Sequence, residues 1–115
     1  MRIDVKWRRE GDIAIASLLG RIDSGSSDHF QGLVEAGLQA GDRALLLDFA
    51  RIVYLSSAGL RVCLVLARRF SDPGKAIAIC SLSALNRDVV AVSGFDQLIS
   101  VHDSAENALA ALRNP

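Results

Sequence analysis

Two adjacent hydroxyls, Ser56 and Ser57, follow the apolar stretch Leu45-Leu46-Leu47-Asp48-Phe49 and Ile52-Val53-Tyr54-Leu55, and they precede Ala58-Gly59-Leu60-Arg61-Val62. A buried strand that ends, turns and opens a helix places such serines where the first helical N–H groups have no internal partner. Two kinds of chemistry are open to a serine there. Its oxygen can accept from those N–H groups as an N-cap, worth about 1 kcal/mol. It can also carry a phosphate, because the free amides and the positive end of the helix dipole favour an anion. A phosphoserine in this place leaves the fold intact but adds about −1.5 to −2 charges to any surface a partner covers. Burying such a charge unpaired costs several kcal/mol. A penalty of about 4 kcal/mol weakens docking about a thousandfold.

Other chemistries find little support. His29 and His102 are isolated, with no His, Cys or Asp at metal-ligand spacing, so no metal site is expected. Ser57 lacks the G-x-S-x-G elbow of a hydrolase, and no acid–base pair stands out. The glycines form neither a P-loop nor a dinucleotide fingerprint, so no cofactor is expected. Cys63 and Cys80 lie in apolar stretches without a C-x-x-C pair, which reads as packed small hydrophobes. The expectation is a binding protein with no catalytic residues.

Composition agrees. The 115 residues are 50% hydrophobic, enough for one domain over residues 1–115 with a real core. Thirteen Lys and Arg balance thirteen Asp and Glu, so no charge bias points to nucleic acid. Arg8-Arg9 and Arg68-Arg69 read as solvated surface. Apolar runs fall well short of a membrane span of about 20 residues. Met1-Arg2-Ile3-Asp4-Val5 is no signal region, which leads to the expectation of a cytoplasmic protein without membrane insertion.

The elements that must position the serines follow from periodicity. Ile3, Val5 and Trp7 alternate with charges as in a half-buried strand; Glu10-Gly11-Asp12 turns the chain into a second strand with Ile13, Ile15, Ser17 and Leu19 on one side. Residues 23–41 read as a helix with Phe30, Leu33, Val34 and Leu38 on one stripe and Ser26, Ser27 or Asp28 as cap. Residues 44–49 read as a strand covered on both faces, followed by a loop through Arg51 and Tyr54. A helix over 57–70 is stopped by Asp72-Pro73-Gly74, and 76–80 is again a buried strand. Ser83 opens a helix with Leu85, Val89 and Val92, closed by Gly94. Leu98, Ile99 and Val101 make a last strand, and Asp103 with Glu106 looks like a capping box for a final helix. The order β-β-α-β-α-β-α-β-α predicts an α/β fold: a mixed, mostly parallel sheet with packed helices and an antiparallel opening hairpin.

The segment Leu46-Leu47-Asp48-Phe49 through Tyr54-Leu55-Ser56-Ser57-Ala58-Gly59-Leu60 resembles the signature of STAS domains, in particular the bacterial anti-sigma factor antagonists. Leu19-Gly20-Arg21-Ile22-Asp23 resembles the family's segment ending its second strand, and Val92-Ser93-Gly94-Phe95-Asp96-Gln97-Leu98-Ile99 its segment before the last strand. With matching element order, the similarity spans essentially the whole chain. The resemblance implies an antagonist that binds an anti-sigma factor which is also a serine kinase. Phosphorylation by that kinase ends the interaction, and a phosphatase restores it. In the family pattern an Asp precedes the phosphorylated Ser, then comes Ser or Thr, then Gly. Mapped here, the acceptor is Ser57, with Ser56 at the Asp position, Ala58 at the hydroxyl position and Gly59 retained. The alternative is a constitutive, unphosphorylated STAS subunit of a lipid-transport ATPase or signalling assembly, which the missing Asp favours.

Beyond the motif, Leu60, Cys63, Leu64, Ala67 and Phe70 form one apolar face of the second helix, suited to the sheet. Val62, Val65 and Leu66 project to the other side, near Arg61 and Arg69. Exposed aliphatics or a wider core contact would produce this pattern, as would a docking patch in which Val62 and Val65 join Ser57. The expected partner-binding set is therefore Asp23, Tyr54, Ser56, Ser57, Ala58, Gly59, Arg61, Val62 and Val65.

Overall fold

A computed structural model describes residues 2–113. Strands β1 (Asp4–Glu10) and β2 (Ile13–Ile22) form the antiparallel hairpin. Gly11, at φ +61°, supplies the left-handed residue of its turn. Helix α1 (Ser27–Gly37), strand β3 (Ala44–Leu55), helix α2 (Ser57–Arg69) and strand β4 (Ala76–Cys80) follow. Helix α3 (Ala84–Ser93), a 3-10 turn (Phe95–Gln97), strand β5 (Ser100–His102) and helix α4 (Ala105–Arg113) complete the chain. The sheet order is β1-β2-β3-β4-β5, parallel from β2 onward, as each crossover helix requires.

The sheet is covered on both faces, which explains the continuous apolar runs. Ala14, Ala16, Leu18, Leu45, Leu47 and Phe49 point into a core shared with Phe30 and Val34 of α1 and Leu60, Cys63 and Leu66 of α2. Ile13, Ile15, Ala44, Leu46 and Ala78 point the other way, against Ala108, Leu109 and Leu112 of α4.

Boundaries differ from expectation where side chains capture the backbone. The helix expected over 23–41 is shorter. Asp23 Oδ1 accepts from Gly25 N (2.9 Å) and Ser26 N (3.1 Å), making a turn that delays the helix until Ser27. At the other end, Asp42 Oδ2 accepts from Gln39 N at 2.7 Å. Ser26 is the N-cap, yet its hydroxyl donates to Arg21 O (2.9 Å) instead of capping the helix. Strand β3 does not end at Phe49. It runs on through Arg51 and Tyr54 to Leu55, because β2 stays paired with it across register shifts, Arg21 against Tyr54 and Ile22 against Leu55. The cap of α4 is Ser104, whose Oγ accepts from Asn107 N (3.1 Å), whereas Asp103 is drawn away to Arg87 at 2.6 Å. The 3-10 turn keeps Leu98 out of β5 and in solvent.

Helix α3 starts and stops as expected, with Ser83 Oγ accepting from Asn86 N (3.2 Å) and Gly94 left-handed at φ +76°. Its rotation differs from the expected one, although Val89 of the expected stripe does pack partly against the core. Leu85 and Val92 face water, and Asn86 and Val90 are buried.

Candidate functional site

The carboxyl ends of β2 and β3 lie side by side, and the chain enters α2 directly from β3. Ser56 N donates to Ile22 O at 2.8 Å, which joins the end of β2 to the mouth of the helix. Ser56 is the cap: its Oγ accepts from Gly59 N (3.2 Å) and its carbonyl from Leu60 N (3.0 Å). Ser57 is the first helical residue, exposed, and its hydroxyl has no hydrogen-bond partner among the described residues. Of the two roles open to the serine pair, the cap thus falls to Ser56. No acidic residue occupies the first turn of α2, so nothing within that turn opposes an anion at its dipole.

Gly59 explains how the helix sits so close to the strand ends. A Cβ there would come within 2.6 Å of Ile22 Cγ2 and 2.7 Å of Leu55 Cδ1, both on fully buried side chains. Only a residue without Cβ lets α2 begin on top of the Ile22–Leu55 pair. Gly59 is consequently buried and shapes the site without presenting surface.

Arg21 and Tyr54 are opposite each other in the β2–β3 ladder, and the Arg21 guanidinium lies 5.1 Å from the centre of the Tyr54 ring. Arg21 Nε also stands 3.8 Å from Asp23 Oδ2. Lost hydration pushes the Asp23 carboxyl up, but donors from Gly25 and Ser26 and the Arg21 charge outweigh it and hold the group below its usual range. Asp23 remains ionised next to Ser57's edge of the sheet.

Of the expected contact residues, Asp23, Tyr54, Ser56, Ser57 and Ala58 converge on this edge through the Ile22–Leu55 pairing. Arg61 is exposed on the next turn of α2, and Val65 is half-buried. The expectation for Val62 and Leu66 is corrected: both are core residues, Val62 only 6% exposed and Leu66 sealed. Helix α2 is clamped between the sheet and its neighbours, so it buries a wider arc than one stripe, and a docking patch cannot include Val62.

Sequence reasoning missed Asn86. Fully buried, it accepts from Leu55 N at 3.0 Å and donates to Ile52 O at 3.2 Å. β4 ends at Cys80, opposite Asp48, so the far edge of β3 beyond that point has no strand to pair with. The Asn86 amide, one donor and one acceptor, replaces it. The available signal was a polar residue four positions before Val90, in phase with the buried side. Cys63 and Cys80 are buried and unpaired. Burial pushes the Cys63 thiol up to about 12 and the Cys80 thiol to about 11, so both are protonated and unreactive at neutral pH.

The mixed sheet with helices on both faces and a capped helix opening at its carboxyl edge defines a small α/β domain that presents a hydroxyl at a helix mouth. The family model described as "Mlab, STAS domain" matches residues 6–100. The chain belongs to the STAS domain family. BtrV of Bordetella bronchiseptica, which carries the name of an anti-sigma factor antagonist, is 34% identical over 99 residues, covering 86% of this chain and 85% of BtrV. Among solved structures, an anti-sigma factor antagonist from Mycobacterium paratuberculosis superposes with a TM-score of 0.86 at 19% identity, over 97% of this chain and 95% of its own. The anti-sigma factor antagonist SpoIIAA in its unphosphorylated form superposes with a TM-score of 0.78 at 16% identity, over 97% and 98%. At these identities the two structures speak for the fold.

No helix among the described residues is long and apolar enough to cross a membrane.

Proposed function

We propose that this chain is an anti-sigma factor antagonist that binds an anti-sigma factor with serine kinase activity and is released when that kinase phosphorylates Ser57. The observation that carries the reading is the division of labour at the helix mouth: Ser56 caps α2, leaving the Ser57 hydroxyl exposed and, among the described residues, without a partner. The name carried by BtrV and the reference to an unphosphorylated form of SpoIIAA support it. In this reading Asp23, Tyr54, Ala58 and Arg61 contact the partner around Ser57, and the role is binding in the cytoplasm, not catalysis. A phosphate on Ser57 would sit in the first turn of α2, where the helix dipole favours an anion, so the fold tolerates it, but a docked partner must desolvate a dianion. A phosphatase resets the state.

The test is reconstitution with the cognate anti-sigma factor kinase and ATP. Mass spectrometry should find one phosphate, on Ser57. Ser57→Ala should lose labelling and keep binding, and Ser57→Asp should weaken binding at least tenfold. A second reading, a constitutive STAS subunit of a larger assembly, is favoured by one feature: the position before the acceptor holds Ser56, whose hydroxyl serves the cap where the family pattern has a carboxylate. Complete absence of phosphate on Ser57 after incubation with a kinase that binds the chain would decide for that reading.

A further inference from the structure

Leu85, Val89 and Val92 have the spacing of an apolar helical stripe, yet α3 leaves Leu85 58% and Val92 89% exposed, with Val89 half-buried. The cause is Asn86. Its hydrogen bonds to Ile52 O and Leu55 N fix the rotation of α3 about its own axis. At about 100° per residue, the buried Asn86–Val90 direction lies roughly 130° from the Leu85–Val92 direction. Turning the larger stripe inward would pull the amide off β3 and leave a buried N–H and C=O unpaired. The fold therefore holds an apolar stripe in water.

Charge identifies what fits there. Asp88 follows Leu85 by three residues and precedes Val92 by four, so it shares their side of the helix. It is exposed and has no ion-pair partner among the described residues, and the same holds for Asp96 just beyond the helix. The one cation of α3, Arg87, is taken by Asp103. The stripe is thus apolar with one acidic residue, Asp88, beside it, and the cation of the same helix is already paired. We propose that the outer face of α3 is a docking surface for an amphipathic helix of a protein partner that carries Lys or Arg beside its own apolar stripe. A second copy of this chain would set Asp88 against like charge, and an anionic lipid surface would repel it. The inference goes beyond the Ser57 switch and needs no phosphorylation.

The probe is a synthetic Leu/Lys amphipathic peptide about 18 residues long, roughly five helical turns, titrated into the isotope-labelled full chain and followed by NMR. Saturable shifts should map to Leu85, Asp88, Val89 and Val92. Binding should weaken at least tenfold for a Leu/Glu peptide of the same pattern, at least tenfold for Asp88→Lys and at least fivefold for Val92→Ser. Both side chains are exposed, so the variants should keep the wild-type Tm and report binding alone. Ser57→Asp should leave peptide affinity within twofold, which separates this surface from the switch. Shifts confined to other surfaces, equal binding of the Leu/Glu peptide, Val92-dependent binding to phosphatidylglycerol vesicles, or a dimer broken by Val92→Ser would each overturn the proposal.

Discussion

Asn86 offers the sharpest test of how the site is held. Replacing it by Ala removes both partners of an N–H and a C=O on β3 in a region sealed from water. A buried backbone group left unsatisfied costs about 1–3 kcal/mol. Partial rescue by water entering the space left by the amide brings the expected total to about 2–4 kcal/mol. Against a typical stability of about 5–15 kcal/mol that is a large share. Urea unfolding should show a lower midpoint with unchanged m-value, and Tm should fall by about 8–16 °C. The loss should be local first: the Leu55 amide should exchange with solvent much faster, while amides in the centre of β3, such as Leu46, should speed up only as far as global stability falls. Asn86→Leu should fare no better, because shape is restored but the polar groups remain unpaired. A change under about 1 kcal/mol, or protection of Leu55 equal to wild type, would refute the argument that this amide substitutes for a missing strand.

Two further perturbations address the frame. Gly59→Ala gains up to about 1 kcal/mol of helix propensity but forces a methyl against Ile22 and Leu55, a strain of about 1–3 kcal/mol; a net loss of about 1–2 kcal/mol in urea titration is expected, and a stabilised variant would sink the close-packing account. The Asp42 carboxylate accepts from Arg9 Nε and Nη2 at 2.8 Å each and from Gln39 N, and the Arg9 bonds hold its pKa below the ordinary value. Because that pKa is depressed on folding, the contribution is full above the unfolded value of about 3.9 and is lost as pH falls through the folded one. Arg9→Ala should cost about 2–4 kcal/mol at neutral pH, since the carboxylate stays buried without its main partner. Removing Arg9 also moves the folded pKa of Asp42 up toward the unfolded value or past it, so the deficit relative to wild type should shrink as pH falls below about 4. Acid-unfolding curves differing by a constant offset alone would contradict this.

The period-2 alternation of β1, the continuous apolar runs of β2 to β4 and the stops at Gly94 and Asp72-Pro73-Gly74 made the α/β class, the element order and the mixed sheet legible in the sequence. These features are local: a strand's pleat, a helix's stripe and a turn's φ are written in neighbouring residues. The helix opening beside Ser56 and Ser57 was legible for the same reason. What only the tertiary structure decided were the outcomes of competition between distant groups. Side chains of Asp23 and Asp42 trimmed α1, and continued pairing with β2 carried β3 on to Leu55. Sheet and neighbouring helices claimed Val62 for the core. Most telling is α3, whose stripe of Leu85, Val89 and Val92 points to a buried face by every sequence rule. The unpaired edge of β3, thirty-odd residues away, had a stronger claim. A hydrogen-bond donor and acceptor with no water to turn to outweigh the burial of exposed aliphatics, and periodicity contains no information about that debt.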